Sequence, residues 1–308
     1  MGKIAFLFAG QGAQYPGMGK SLCESSAAAK ALYDAAEAIR PGTQQQSFAG
    51  TAEELKQTAN TQPCLYLVDL AAALALEEAG IHADAAAGFS LGEIAALAFA
   101  GVYSHADGFR IVTERGRLMQ QAAEAADTAM CAVVKLDAQT VSDAAAEFNQ
   151  LYAVNFNCPG QTVVSGLESS MPDFKAKIKE LGGKCIPLTV SAAFHSPFMN
   201  EAAEQFGEFL AGQTFSAGNI PVYANLNAAP YEAPEKAAET MSAQICNPVR
   251  WQTTIENLIA QGFDTFIEVG AGKTLSGLVK KISADVHIYN VEDAESLANT
   301  VKAVTEAC

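Results

Sequence analysis

The strongest constraint on the fold is an alternation of short apolar stretches with longer helical ones in the first part of the chain. A strand-like stretch covers residues 4–9, helical patterns cover residues 21–39 and 63–79, and a short strand leads into Ser90, after which two more helices follow. Such alternation predicts a parallel sheet with helices on both faces. The last part has the same rhythm around the strand-like stretches IPVYANL, TFIEVG and VHIYNV, so both parts can belong to one sheet.

The middle of the chain has a different order of elements. The stretches MCAVVKL, YAVNFN, QTVVSGL and KCIPLTV are typical of strands, whereas AQTVSDAAAEF and SMPDFKAKIKELGG are typical of helices. Their order is β-α-β-β-α-β, which is that of a ferredoxin-like unit. We therefore expect a small subdomain inserted at about residues 126–197, with residues 1–125 and 198–308 as the two segments of a large α/β subdomain.

Composition and charge narrow the class of protein. The formal net charge of −15 argues against nucleic acid or an anionic membrane surface as a partner. No stretch approaches the roughly 18 apolar residues of a membrane span, and the apolar start is interpreted as a first strand, so we expect a soluble, cytoplasmic protein. The cysteines are odd in number and form no C-x-x-C pair, which indicates a reducing compartment and argues against a metal site. They are Cys23, Cys64, Cys131, Cys158, Cys185, Cys246 and Cys308.

Two glycine-rich stretches resemble nucleotide-binding loops without matching them. In GQGAQY, Tyr15 stands where a dinucleotide fingerprint needs its third glycine. In EVGAGKT, Ile267 stands where a phosphate loop needs its leading glycine. We therefore expect no bound cofactor.

The stretch AGFSLGEIAA admits two interpretations. Ser90 followed by Glu93 is a capping box at the start of an apolar helix, which needs no chemistry. It is also a G-x-S-x-G elbow, which exposes a serine hydroxyl at a helix N-terminus where backbone N–H groups can hold an oxyanion. The second interpretation needs a base and a substrate.

Arg115 is a charged residue on an apolar helix face. Helical spacing places Ile111, Val112, Leu118 and Met119 on the same face. A buried arginine keeps its proton and needs a carboxylate, a phosphate or several carbonyls. An internal salt bridge, a side chain that reaches the surface, and a clamp for a substrate carboxylate all satisfy this need.

His195 is the best candidate for the base among the four histidines. It lies in SAAFHSPFM, where the small subdomain returns to the large one, and can line a cleft between them. A lone histidine is more often structural than catalytic, so Ser90 and His195 support each other only if the fold brings them together.

Six stretches together are similar to the malonyl-CoA:acyl carrier protein transacylases of fatty acid synthesis. GQGAQ, GFSLGE, ERGRLMQ, AFHSPFM, NPVRW and EVGAGKTLSGLVKK occur in that family's order and spacing, and cover nearly the whole chain. The resemblance implies an α/β-hydrolase-like large subdomain with a ferredoxin-like insertion. It also implies malonyl-CoA and holo acyl carrier protein as substrates, and we expect a monomer.

The resemblance assigns roles to individual residues. It implies that Ser90 is the acyl-accepting nucleophile, that His195 is its base, and that Arg115 binds the malonyl carboxylate. Backbone N–H groups of Gln11 and Leu91 would hold the oxyanion. The family orients its histidine with main-chain carbonyls, one of them at the position matched here to Arg250.

Three positions bear on how closely the chain follows the family. Phe89 replaces a histidine that is common before the nucleophile, and the position matched to Arg250 is often glutamine. Phe194 precedes the catalytic histidine, as in malonyl-selective relatives, and would crowd an α-methyl branch.

Other functions share the same elbow. A serine esterase or thioesterase would use Ser90, but such enzymes usually order their residues as serine, acid, histidine, and no acidic residue nominates itself here. An acyltransferase of a polyketide pathway and a non-catalytic scaffold are further alternatives. Because acyl carrier proteins are acidic, we expect a local basic surface near the cleft that includes Lys273, Lys280 and Lys281.

Overall fold

A computed structural model describes residues 2–190 and 192–307. Cys308 therefore lies outside the described residues. The strands of the described chain form two separate sheets. They are β1 (Lys3–Phe8), β2 (Ala85–Gly88), β3 (Thr128–Val134), β4 (Leu151–Cys158), β5 (Gln161–Leu167), β6 (Lys184–Pro187), β7 (Val222–Tyr223), β8 (Phe263–Val269) and β9 (His287–Val291).

Helices cover most of the remaining chain. The α-helices are α1 (Lys20–Ser25), α2 (Ala27–Ile39), α3 (Thr43–Ala49), α4 (Ala52–Lys56), α5 (Thr58–Glu78), α6 (Leu91–Phe99), α7 (His105–Glu124), α8 (Ala138–Ala146), α9 (Met171–Glu180), α10 (Asn200–Leu210), α11 (Ala237–Cys246), α12 (Trp251–Ala260), α13 (Thr274–Ile282) and α14 (Ala294–Ala307). None of the described helices is both long enough and apolar enough to span a membrane.

The large sheet has five parallel strands in the order β7-β2-β1-β8-β9. Strands from both ends of the chain meet at its centre, where β1 pairs with β2 and β8. The prediction that the first and last parts share one sheet is confirmed. The predicted strand IPVYANL is reduced to β7, because Ala224 leaves the ladder to bond Ala229 in a turn.

The small sheet is antiparallel, with the order β4-β5-β3-β6. With α8 after β3 and α9 after β5, this is the topology of a ferredoxin-like unit, and the predicted fold class is confirmed. Val249 of the large subdomain bonds Val154 and Phe156 of β4, which joins the small sheet to the large subdomain beside a cleft. The boundaries at residues 126 and 197 stay a prediction.

One predicted helix differs in a way that local chemistry explains. The pattern at residues 21–39 forms α1 and α2, because Ser26 leaves the helical conformation and caps α2 by accepting the Ala29 N–H. The helix predicted at residues 63–79 is α5, which begins earlier, at Thr58.

Helix α6 lies very close to strand β1, because glycine is the residue at the contact. A Cβ atom added to Gly92 would lie 2.3 Å from the Phe8 carbonyl oxygen and 2.6 Å from that of Ala9. A Cβ added to Gly88 would lie 2.0 Å from the carbonyl carbon of Gly92. Both glycines of the elbow are therefore required for the chain to turn from β2 into α6.

The substitution Gly92→Ala tests this contact. We expect it to lower the free energy of unfolding by more than about 2 kcal/mol, because rigid backbone rather than a mobile side chain faces the new atom. Urea denaturation measures the change. Gly277→Ala is the control, since Gly277 lies in α13 with open space around it. This substitution should raise the free energy of unfolding by about 0.5–1 kcal/mol. Equal effects at the two positions would contradict the interpretation.

Candidate active site

Ser90 lies in the turn between β2 and α6 with a strained backbone. Its φ is 55° and its ψ is −104°, a conformation that residues with a side chain rarely adopt. The turn presents the Ser90 hydroxyl at the N-terminus of α6, where the side chain is almost fully buried. This is the geometry of a nucleophile elbow.

His195 lies directly beside Ser90. Its Nε2 is 2.8 Å from Ser90 Oγ, and its Nδ1 is 2.9 Å from the main-chain oxygen of Gln244. Because the carbonyl can only accept, Nδ1 carries the proton and Nε2 is free to accept the serine proton. The fold thus brings together the two residues that the sequence singled out separately.

The environment of His195 keeps its ring neutral. Burial lowers the pKa of His195 to about 4, and the charge of Arg115 acts in the same direction, while the hydrogen bonds to main-chain carbonyls oppose the shift. The residue is 3% exposed. A neutral imidazole is the form that can act as a general base, so His195 is available as a base well below neutral pH.

Arg115 is completely buried on α7, and its head group points at the same serine. Its Nη1 donates to Gln62 Oε1 at 2.8 Å, and its Nη2 donates to Gln244 Oε1 at 2.7 Å and to Ser90 Oγ at 3.1 Å. Its Nε has no acceptor among the described residues. Every oxygen that contacts this cation is neutral.

No described carboxylate forms an ion pair with Arg115. The alternatives of an internal salt bridge and of a side chain that reaches the surface are therefore wrong for this residue. Burial lowers the pKa of Arg115 to about 10, partly offset by the nearby charge of Glu93. At neutral pH the site therefore holds a positive charge that no carboxylate of the described residues bonds directly.

Gln244 contacts all three of these residues and was not predicted. Its side-chain oxygen accepts from Arg115, its side-chain nitrogen donates to the Ser90 carbonyl at 2.8 Å, and its main-chain oxygen accepts from His195. A polar residue on a helix next to the recognised stretch NPVRW is not distinctive in sequence. Its role depends on how α11 lies against the elbow.

The structure corrects the assignment of Arg250. The carbonyl at His195 Nδ1 is that of Gln244, whereas the Arg250 carbonyl accepts from the N–H and hydroxyl of Thr254 in the first turn of α12. The Arg250 side chain is exposed and donates to the Leu226 carbonyl at 3.1 Å. The prediction that Arg250 orients the histidine is therefore wrong.

The structure also corrects the capping box. The Ser90 side chain makes no capping hydrogen bond, because its strained turn directs the hydroxyl to His195 and Arg115. The Glu93 carboxylate accepts from the Asn225 N–H at 2.6 Å and from the Tyr231 hydroxyl. Burial raises the pKa of Glu93 to about 7, against the effect of these hydrogen bonds. Of the two interpretations of AGFSLGEIAA, only the elbow describes the structure.

Two backbone N–H groups near Ser90, one at the elbow and one in the loop after β1, have no acceptor among the described residues. The N–H of Leu91, the first residue of α6, and that of Gln11 are not bonded within the described chain. The loop of Gln11 is held in place by its side chain, which donates to Thr58 Oγ1 at 3.1 Å, and by Gly10, which fits closely against the Phe89 carbonyl. These donors have the chemistry of an oxyanion hole, and their role stays a prediction.

A cavity of about 240 Å³ lies between the two sheets and reaches the elbow. Its lining includes Gln11, Phe89, Asn155, Asn157 and Leu275. The side-chain oxygens of both asparagines are buried and have no donor within the described chain. No group of three metal-ligating side chains was found among the described residues.

Phe194 lies outside this cavity. It lines a separate cavity of about 220 Å³ together with Thr58 and Gln120, and it is 8% exposed. Its predicted role in excluding an α-methyl branch stays a prediction.

Comparisons with known proteins identify the family of the chain. The family model for the acyl transferase domain matches residues 5–305. The chain belongs to the acyl transferase family. The malonyl CoA-acyl carrier protein transacylase of Bacillus subtilis is 40% identical, with 99% of this chain and 98% of the relative covered. That of Synechocystis is 35% identical, with 96% and 99% covered.

Solved structures of this acyl transferase family have the same fold. The malonyl CoA-acyl carrier protein transacylase of Clostridium perfringens superposes with a TM-score of 0.95 at 35% identity, covering 99% of this chain and 98% of the other. A malonyl-transacylase in complex with a type II polyketide acyl-carrier protein superposes with a TM-score of 0.94 at 31% identity, covering 98% and 99%.

The low pKa of His195 gives a testable pH dependence. A neutral sulfonyl fluoride that modifies Ser90 reports on the base without involving a substrate carboxylate. We expect its rate to stay within about twofold between pH 8 and 5.5, because His195 remains neutral there. An unshifted histidine of pKa about 6.5 would be about 90% protonated at pH 5.5 and would lose most of the rate.

The variant Glu93→Gln is the control for this measurement, since Glu93 also titrates in this range. A tenfold fall in rate between pH 8 and 5.5 in both proteins would contradict the assignment of a depressed pKa to His195.

Proposed function

We propose that this acyl transferase moves a malonyl group from malonyl-CoA to the phosphopantetheine thiol of acyl carrier protein, through a malonyl ester on Ser90. The observation that carries the choice of acyl group is Arg115, a buried cation 3.1 Å from Ser90 Oγ that has no anionic partner within the described chain. An acyl group that ends in a carboxylate supplies the missing anion. The relatives are malonyl CoA-acyl carrier protein transacylases, which supports the same substrate.

The first half-reaction forms the ester. His195 Nε2 takes the hydroxyl proton while Ser90 Oγ attacks the thioester carbon. The oxyanion accepts from the N–H groups of Leu91 and Gln11. When the C–S bond breaks, the departing sulfur takes the proton from His195, and CoA leaves as the thiol.

The second half-reaction repeats these steps in reverse. The thiol of acyl carrier protein gives its proton to His195 and attacks the ester carbon, and Ser90 Oγ leaves with that proton. An ester is a suitable carrier between two thioesters because neither transfer is strongly uphill. The main-chain bond from His195 to Gln244 keeps the imidazole in the tautomer that both steps need.

Arg115 can hold the malonyl carboxylate without losing its structural contacts. Its bonds to Gln62 and Gln244 fix the guanidinium, while its Nε–H has no acceptor among the described residues and one Nη2–H is directed at Ser90. A carboxylate can accept from these two donors in a bidentate pair. An acetyl group would leave the charge unpaired, which disfavours it by a few kcal/mol.

The cavity between the sheets supports a route for the pantetheine arm. Its lining includes Gln11 and Phe89 beside the elbow, and also Asn155 and Asn157, whose side-chain oxygens have no donor among the described residues. These acceptors suit the amide N–H groups of the arm. CoA and acyl carrier protein both present this arm, so one route serves both half-reactions.

A serine hydrolase is less well supported. Hydrolases with this elbow orient the histidine with an acid, whereas His195 Nδ1 donates here to the Gln244 carbonyl. The same acyl transfer can supply fatty acid synthesis or a polyketide pathway. We propose that this protein supplies fatty acid synthesis.

Mass mapping of the acyl-enzyme tests the proposal. With malonyl-CoA alone, we expect malonyl on the peptide that contains Ser90, and none in Ser90→Ala. In Arg115→Ala, the preference for malonyl-CoA over acetyl-CoA should fall by about 100-fold, because the paired carboxylate is worth about 3 kcal/mol.

Arg117→Ala is the matched control for Arg115→Ala. It removes the same charge from the same helix, but Arg117 is exposed and pairs with Glu114, so its selectivity should stay unchanged. Rapid release of malonate without an acceptor thiol would favour the hydrolase instead.

One of the predicted docking lysines, Lys281, contacts a residue that lines the cavity. Lys281 Nζ donates to Gln161, which lines the cavity, and Lys273 and Lys280 are exposed at either end of the same helix α13. We expect the triple variant of Lys273, Lys280 and Lys281 to glutamine to raise KM for acyl carrier protein about tenfold, because the partner is acidic. Initial rates of transfer measure this.

Transfer to free pantetheine should be unchanged in this triple variant, since that acceptor has no charged surface. A triple glutamine variant at Lys20, Lys30 and Lys302 removes the same charge from helices that do not line the cavity. Equal effects of the two triple variants would place docking elsewhere.

A further inference from the structure

Asn225 bridges the two sides of the nucleophile elbow. It lies just after β7 and is completely buried. Its side-chain Oδ1 accepts from the Ser90 N–H at 2.7 Å, and its Nδ2 donates to the Gly88 carbonyl at 2.7 Å. The side-chain amide of Asn225 therefore fixes the Gly88 carbonyl before the turn and the Ser90 N–H within it.

Asn225 is itself fixed by the helix that follows Ser90. Its backbone N–H donates to Glu93 Oε2 at 2.6 Å, and its carbonyl accepts from the Arg250 N–H at 3.0 Å. Glu93 is also completely buried, and its other oxygen accepts from the Tyr231 hydroxyl. The segment after β7 thus bonds β2, the turn and α6 at once.

The arrangement also determines which N–H group at the helix start is free. Ser90 N–H is taken by Asn225, Gly92 N–H by the Phe89 carbonyl, and Glu93 N–H by the Ser90 carbonyl. The Leu91 N–H remains without an acceptor in the described chain. Asn225 therefore holds Ser90 in its strained conformation and leaves one donor for the oxyanion.

We propose that Asn225 is a positioning residue for Ser90, and that Glu93 holds Asn225 in place. The proposal rests on the proposed role of Ser90 as the acyl carrier. Without the amide, the turn can relax from φ 55° toward ordinary backbone, and Ser90 Oγ then moves away from His195 Nε2. Arg115 keeps its bonds to Gln62 and Gln244, so substrate binding is largely preserved.

The variant Asn225→Ala tests the proposal through a split between kcat and KM. For malonylation of Ser90 we expect kcat to fall at least 100-fold while KM for malonyl-CoA changes less than threefold. Modification of Ser90 by a neutral sulfonyl fluoride should fall in parallel, since it needs the serine and histidine geometry but no carboxylate clamp.

Asn257→Ala is the matched control. Asn257 donates to the Ala228 carbonyl at 2.9 Å. It therefore anchors the segment after β7, which also contains Asn225, without a hydrogen bond to the elbow. It should lower the unfolding midpoint but leave kcat within threefold. If both asparagine variants lose stability and kcat in the same proportion, Asn225 is only structural.

Variants of Glu93 test the second link and cover the case in which Asn225→Ala does not fold. Glu93→Ala should lower kcat, and Glu93→Gln should recover at least tenfold of that loss, because its amide oxygen still accepts from Asn225 and its NH2 can donate to the Tyr231 oxygen. If a folded Glu93→Gln protein has a kcat as low as that of Glu93→Ala, the link between Glu93 and Asn225 is overturned.

The outcomes separate this proposal from the proposed function. If wild-type protein takes no malonyl on Ser90, the proposed function fails. If wild type is malonylated and Asn225→Ala is malonylated at the same rate, only the positioning role fails.

Discussion

The turn at Ser90 is the constraint on which the rest of the site depends. A strained residue costs on the order of 1–3 kcal/mol and persists only where its surroundings determine it. Ser90 and His195 both have positive φ, at 55° and 60°. The close contact of Gly92 with β1 and the bonds from Asn225 hold the first of these turns. The reactive geometry is therefore a property of the packed subdomain and not of the local stretch.

A buried positive charge dominates the electrostatics of the site. Arg115 is buried among neutral oxygens, and its charge also favours the neutral form of His195. Gln244 links the three residues of the site, because it bonds Arg115, Ser90 and His195 through three different atoms. The proposed malonyl group would supply an anion for this cation, which no described carboxylate contacts directly.

Much of the fold was predictable because hydrophobic periodicity indicates the helices and strands. Much of the site was predictable because residue type marks the candidate residues. The alternation of elements predicted both sheets, and a cation on an apolar face marked Arg115. Predictions of individual hydrogen bonds were wrong where tertiary packing supplies partners that the local sequence does not show. Glu93 has the spacing of a capping box, yet its carboxylate bonds Asn225 and Tyr231, because the segment after β7 supplies better donors. The carbonyl at His195 belongs to Gln244, since α11 and not the start of α12 lies against the ring.

The sequence by itself determined the fold class and the elbow glycines, and it singled out Ser90, His195 and Arg115 as candidates whose partners it left open. Only the tertiary structure decided that these three side chains meet within hydrogen-bonding distance, and that no described carboxylate pairs with Arg115. It also brought in Asn225 and Gln244, which lie far from Ser90 along the chain. The physical reason is that patterns of hydrophobicity and turn chemistry act over a few residues, whereas the charge balance of a buried site depends on every segment that packs around it.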